Sequence, residues 1–247
     1  YIVSRTDLKG ITTYVNETFV KISGFTREEL IDKNHNMVRH PDMPPAAYAW
    51  LWDTIKAGRP WRGIVKNRCK NGDFYWVNAL VVPVFKSSGI VGYMSVRTEP
   101  TRQQVTEAGA FYQQLKEGKA AIPKTAFWKR LSLKVKLKGL ALLLLGMQIV
   151  GGIVYQFGSS FGLSPDSLGW ILRSLGLASI VASVFLLVIQ SQMLTIIARI
   201  IARLDNIAQG DLTDEIPMTR EDELGKLNDA LITMQTHLKA MMAEIAE

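Results

Sequence analysis

Nineteen consecutive residues, Gly139 to Phe157, carry no charge. A helix rises about 1.5 Å per residue, so this stretch reaches roughly 28 Å, the thickness of a bilayer's hydrocarbon layer. Lipid offers the backbone no hydrogen bonds, and the run therefore reads as a membrane helix; a buried core helix is the alternative. Its position, behind a whole domain, excludes a signal peptide. A second uncharged run, Ser174 to Ile189, spans sixteen residues. It becomes long enough to cross if Leu168–Leu172 join it and Arg173 snorkels toward the headgroups. Gly158–Ser167 between them is turn-forming and leaves room only for a hairpin.

Lys129, Arg130, Lys134, Lys136 and Lys138 precede the first span, and Arg199 and Arg203 follow the second. The positive-inside bias puts both flanks in the cytoplasm of a multi-pass protein of the cell inner membrane. The outer loop is too short for a ligand-binding domain, so any sensing falls to the N-terminal domain, from inside.

The 247 residues hold 29 Lys+Arg against 22 Asp+Glu, a net charge of +7. That excess gathers beside the first span, in residues 116–138, which disfavours nucleic acid as a partner. One cysteine, Cys69, excludes a disulfide framework and a multi-thiolate zinc site. His35, His40 and His237 are too few for a histidine cage, and no metal site is expected. The chain begins with Tyr1, and its heptad pattern is still running at Glu247, so a fragment with a further downstream module is expected. Four segments follow: a sensor domain (1–104), a basic linker (105–138), a transmembrane hairpin (139–191), and a helical relay opening a signalling coiled coil (192–247).

The first segment reads as α+β. Tyr1–Ser4 and Ile11–Val15 flank the turn Asp7-Leu8-Lys9-Gly10. Asn16 and Thr26 suit N-caps, and Thr26 with Glu29 fits a capping box. Pro45–Ala57 has helical spacing. Trp61–Arg68, Phe74–Phe85 and Ile90–Thr98 are strands joined by Lys70-Asn71-Gly72-Asp73 and Lys86-Ser87-Ser88-Gly89. The expected fold is one five-stranded antiparallel sheet with helices on one face and a pocket between them.

This order of elements resembles a PAS domain. The strings His35-Asn36-Met37-Val38-Arg39-His40-Pro41-Asp42-Met43-Pro44 and Pro60 to Arg68, with Lys70 to Asp73, resemble the FAD-binding PAS domain of the bacterial aerotaxis receptor family. The resemblance implies FAD held by Arg39, His40, Asp42, Trp52, Trp61 and Asn67. The chemistry suits those residue types: an amide for the ring's polar edge, tryptophan for its flat apolar face, and a guanidinium for pyrophosphate. Arg39 equally suits an ion pair with Asp42, His40 a turn cap, and the tryptophans a core. The photochemical LOV version of the fold has a cysteine in its helical motif, which this chain lacks. A haem-binding PAS domain would need His35 or His40 as axial ligand.

Beyond the spans, Met193, Ile197, Ile200, Leu204 and Ile207 form one apolar seam, and Leu224, Leu227, Leu231, Met234, Leu238, Met241 and Ile245 a second. The connector Gly210 to Pro217 and the motif Asp222-Glu223-Leu224-Gly225 resemble a HAMP domain, which in that family closes as a dimeric four-helix bundle. A homodimer is therefore expected; a helical hairpin packed on the chain's own PAS domain is the alternative. The whole order implies a redox or oxygen sensor for aerotaxis, acting on a chemotaxis histidine kinase and its coupling protein through the downstream module. The other reading is the sensory half of a membrane histidine kinase or cyclic-dinucleotide cyclase. No catalytic constellation stands out, and no enzyme activity is expected in these residues.

Overall fold

The computed structural model describes residues 1–87 and 89–245. Ser88, in the expected turn from Lys86 to Gly89, and Ala246–Glu247, at the end of the expected coiled coil, lie outside the described residues. The N-terminal region forms β1 (Ile2–Thr6), β2 (Thr12–Val15), α1 (Glu17–Ser23), α2 (Arg27–Leu30), a 3₁₀ turn (His35–Val38), α3 (Pro45–Lys56), β3 (Trp61–Arg68), β4 (Phe74–Lys86) and β5 (Gly89–Thr98). The strands make one five-stranded antiparallel sheet, as expected from the sequence, and their order is β2-β1-β5-β4-β3.

Local chemistry sets these elements. The Asp7 carboxylate accepts the amides of Lys9 and Ile11 at 2.8 Å each and closes the β1–β2 turn. Thr26 and Glu29 make the reciprocal capping box that opens α2. Asn16 does more than cap α1. Its buried side chain accepts from the Phe19 and Val3 amides and donates to the Tyr1 carbonyl, tying β1 to the helix.

The stretch expected as a basic linker contains helical structure. Thr101 and Gln104 form a second capping box that starts α4 (Arg102–Lys116). Ala108, Phe111 and Leu115 pack against the PAS core, and the Tyr112 hydroxyl donates to the Ile64 carbonyl at 2.6 Å. Next come α5 (Phe127–Arg130), α6 (Leu133–Phe157), α7 (Pro165–Ala208) and α8 (Glu223–Ile245). Both α6 and α7 are long and apolar enough to cross a membrane. Helix α7 runs 44 residues without a break, so the second apolar run continues directly into the seam from Met193 to Ile207. No glycine or proline follows Gly176 within it, which removes the usual causes of a kink.

The chain divides into two compact units. One holds Tyr1–Lys124, Gln209–Met218 and the described part of Lys226–Glu247; the other holds Thr125–Ala208 and Thr219–Gly225. Within the first, the connector and α8 lie on the PAS sheet. Strand alternation puts Ser4, Ser95 and Arg97 on one face and Val3, Leu80, Val82 and Val96 on the other, where they are also buried. Arg5 pairs with Glu244 at 2.6 Å, and Arg62 with Glu215 at 3.6 Å. Asn78 also donates to Glu215. Ile216, Ile232, Gln235 and Thr236 are buried, and the Gln235 amide donates to the carbonyls of Leu212 and Asp214. Of the helical pair that the alternative reading packs on the N-terminal domain, α8 and the connector share that domain's unit, and α7 belongs to the other.

Asn16→Ala removes the cap and strands the buried Val3 amide. It should destabilise the protein by about 1–3 kcal/mol, read as a lowered denaturation midpoint at unchanged slope.

Candidate functional site

A cavity of about 380 Å³ opens between the PAS helices and the sheet. Arg39, Trp52 and Asn67 line it. Asn67 is buried on β3, and its backbone bridges that of Arg39, which hangs the 3₁₀ turn on the sheet edge. The Arg39 guanidinium stacks 4.0 Å from the Tyr48 ring centroid and donates to the Met43 carbonyl at 3.3 Å. Trp52 meets Tyr93 edge-on at 5.5 Å. Gly10, at φ 82°, lets the chain pass beside that indole, where an added Cβ would come within 3.1 Å of the ring.

The other three residues lie outside the cavity lining. His40 accepts the Asp42 amide on Nδ1 at 3.1 Å, which is the turn-cap arrangement. Burial, then Lys66, hold its pKa below the ordinary value. Asp42 is exposed and paired with Lys66, whose hydrogen bond holds the carboxyl below the usual range. Trp61 is buried in the core, edge-on to Trp50 at 5.6 Å, with its Nε1 unpartnered.

Sequence reasoning passed over the most distinctive lining residue. Arg97 on β5 is buried, and its Nη2 donates to Ser4 Oγ at 2.9 Å and to His35 Nε2 at 2.8 Å. Ser4 Oγ lies 3.2 Å from the same imidazole nitrogen. Nε2 is therefore the acceptor, and the ring's proton sits on Nδ1. Burial, then the Arg97 charge, push the His35 pKa down to about 3, so the ring is neutral. Burial also draws Arg97 down to about 10, which leaves it charged at neutral pH. Its Nη1 and the Ser95 Oγ are buried without a protein partner. Buried polar atoms are almost always satisfied, so two orphans on one wall point to a ligand that satisfies them. The available signal was the alternation Tyr93, Ser95, Arg97, which puts an arginine on an inward face.

Lys9, Arg39 and Arg97 line the cavity and, among the described residues, no carboxylate does. With tryptophan and tyrosine on its walls, it suits a flat, partly apolar ligand with anionic groups. Haem ligation through His35 Nε2 would break the bonds to Arg97 and Ser4. Cys69 donates to the Ile22 carbonyl and lies off the cavity lining. Among the described residues, no group of three His, Cys, Asp or Glu side chains is placed to hold a metal.

Two domain families match the chain: the PAS fold over residues 12–97 and the HAMP domain over residues 188–240. The aerotaxis receptor of Escherichia coli K12 is 50% identical over 120 residues, covering 49% of this chain and 24% of that protein. The nitrogen fixation regulatory protein of Klebsiella pneumoniae is 29% identical over 87 residues, 35% of this chain and 18% of that one. The chain thus spans a quarter or less of either relative's length. Among solved structures, the dark-state LOV domain of the blue-light photoreceptor aureochrome1 superposes with a TM-score of 0.41 at 19% identity, covering 47% of this chain and 86% of that one. This chain accordingly joins a domain that matches the PAS fold, two long apolar helices and a segment that matches the HAMP domain, and about half of it is similar in sequence to the aerotaxis receptor.

Proposed function

We propose that the chain is the sensing and relay portion of a membrane-anchored redox sensor for aerotaxis, with FAD in the PAS cavity. The observation that carries the reading is the buried Arg97 guanidinium, charged and with one nitrogen unpartnered, on the wall of a cavity without carboxylates. The likeness to the aerotaxis receptor over this domain supports it. FAD, when bound, supplies a ring that takes up electrons and gains negative charge.

Arg97 would answer that charge with its free donor while Ser4 and the neutral His35 hold its other arm. Burial makes the answer strong, because low dielectric magnifies the interaction between a fixed cation and an added anion. Asn67 would offer an amide to the ring's polar edge, and Trp52 and Tyr48 would bound it with apolar surface. Arg39 would neutralise pyrophosphate. His40, Asp42 and Trp61 would act by holding the turn and core on which Arg39 and Asn67 sit.

Residues 95–97 link this site to the relay. Ser95 and Arg97 face the cavity while Val96 faces the surface that the connector and α8 cover. A shift of Arg97 is thus felt one strand-thickness away, which would bias how α8 packs. Along α8 the buried stripe runs through Leu224, Asn228, Leu231, Ile232, Gln235, Thr236 and Ala240, whereas Leu227, Met234 and Met241 of the expected seam are exposed. That leftover apolar seam supports a homodimer, and the two apolar helices support anchorage in the cytoplasmic membrane. Chemotaxis kinase control would follow through the continuing coiled coil.

The purified protein should show a two-banded flavin spectrum in air that bleaches on anaerobic reduction and returns with oxygen. Losing a charge-assisted hydrogen bond worth about 1.5–3 kcal/mol, Arg97→Met should weaken FAD binding roughly 10- to 100-fold. A folded, colourless parent protein would overturn the flavin reading. His35 provides an independent check on the cofactor-free protein. Its folded pKa of about 3 lies below the ordinary 6.5, so the unfolded chain binds the extra proton between those values. Stability is therefore full above pH 6.5 and falls on acidification, by about 2 kcal/mol from pH 7 to pH 5. His35→Gln should flatten that slope in chemical denaturation.

A further inference from the structure

The unit that holds the two apolar helices also contains the residues just before α8 and its first turn, Thr219–Gly225. These meet the start of α6 through a dense polar contact. The Glu223 carboxylate accepts the Leu133 amide at 2.7 Å and the Ser132 hydroxyl, and so caps the N-terminus of the 25-residue helix α6. Ser132 makes no side-chain cap of its own, so the cap comes from ninety residues away. The backbone joins in, with the Glu221 amide donating to the Lys129 carbonyl at 3.1 Å and its carboxylate pairing with Arg130 at 3.2 Å.

Asp222 is the centre. It is buried and accepts from Lys136 of α6 at 3.1 Å, from Arg220, and from the Gly225 amide at 3.2 Å. Lys136 is buried too, although it stands among the basic residues that precede the first span. Burial raises the Asp222 carboxyl, but the bonds from Arg220, Lys136 and Gly225 outweigh it and hold the pKa below the usual range. Gly225 is there for space: an added Cβ would lie 2.4 Å from the Arg220 carbonyl oxygen. Leu224 is buried. Asp222, Glu223 and Gly225 of the Asp-Glu-Leu-Gly motif therefore each have a physical task at this one contact.

We propose that Asp222 and Glu223 form a latch that fastens the first turn of α8 to the start of the membrane helix α6. The latch has two states. A buried carboxylate stripped of its cations is strongly unfavourable, so partial opening is disfavoured against full engagement or full release into water. Release would free α8 from α6 while uncapping that helix. The inference rests on the polar contact alone and stands whether or not the PAS cavity takes a flavin.

The test uses the full chain in lipid nanodiscs, with Cys69→Ser and spin labels on the exposed positions Lys134 and Thr219. The parent should give one narrow, short distance. Asp222→Ala and Glu223→Ala should each broaden and lengthen it, and Lys226→Ala, an exposed neighbour, should not. Hydrogen exchange guards against a folding artefact: Glu223→Ala should speed exchange in residues 131–137 at least tenfold while β3–β5 stay protected. A broad distance in the parent, or unchanged distances in both latch variants, would overturn the proposal.

Discussion

A sheet one residue thick separates the cavity from the surface that the connector and α8 cover. Each strand must serve both faces, and period-two alternation decides which residue serves which. On β5 this gives Tyr93, Ser95 and Arg97 to the cavity and Val96 to the opposite face. The polar groups that line the cavity and an apolar residue buried on the opposite face are then covalent neighbours. A rigid, fully hydrogen-bonded sheet moves as a body or by small changes of twist, which is what a packed face on its far side can register.

The cavity's charge has the same origin. A guanidinium is tolerated inside the domain because Ser4 and His35 satisfy one nitrogen and the Phe19 ring lies 5.1 Å from its centre. His35 can do this only as a neutral acceptor, and burial keeps it so. The network is incomplete without a further acceptor at Nη1, and that incompleteness is the structural sign of a ligand. A fully satisfied arginine would have read as a strut.

Much of the fold was legible because turns and caps are local. Asp7 to Gly10, the Thr26–Glu29 box and the Asn71-Gly72 turn announce themselves in a few residues, and the strands between them follow. The Thr101–Gln104 box was equally local, yet the charge of the basic stretch drew attention away from Phe111, Tyr112 and Leu115. Arg39, Trp52 and Asn67 reached the candidate site through a family resemblance, whereas Arg97 needed strand register, because an arginine among β-strand residues looks exposed until its alternation is known. Heptad spacing has a similar blindness. It shows that α8 buries a stripe but cannot say which neighbour it meets, and the buried stripe through Asn228 and Gln235 is offset from the apolar seam.

Lys136 shows why the offset and the membrane flank belong together. Its sequence position asks for water or headgroups, and its side chain instead sits buried on Asp222. Holding two charges away from water stabilises little compared with an apolar pair of equal size, since desolvation consumes most of the attraction. What such a pair supplies is a definite geometry: only one alignment of α6 with the start of α8 satisfies Lys136, Asp222, Glu223 and the Leu133 amide at once. An apolar contact would tolerate sliding or rotation of α8 by a fraction of a turn. That intolerance, rather than any large gain in stability, is what the buried pair contributes at this contact.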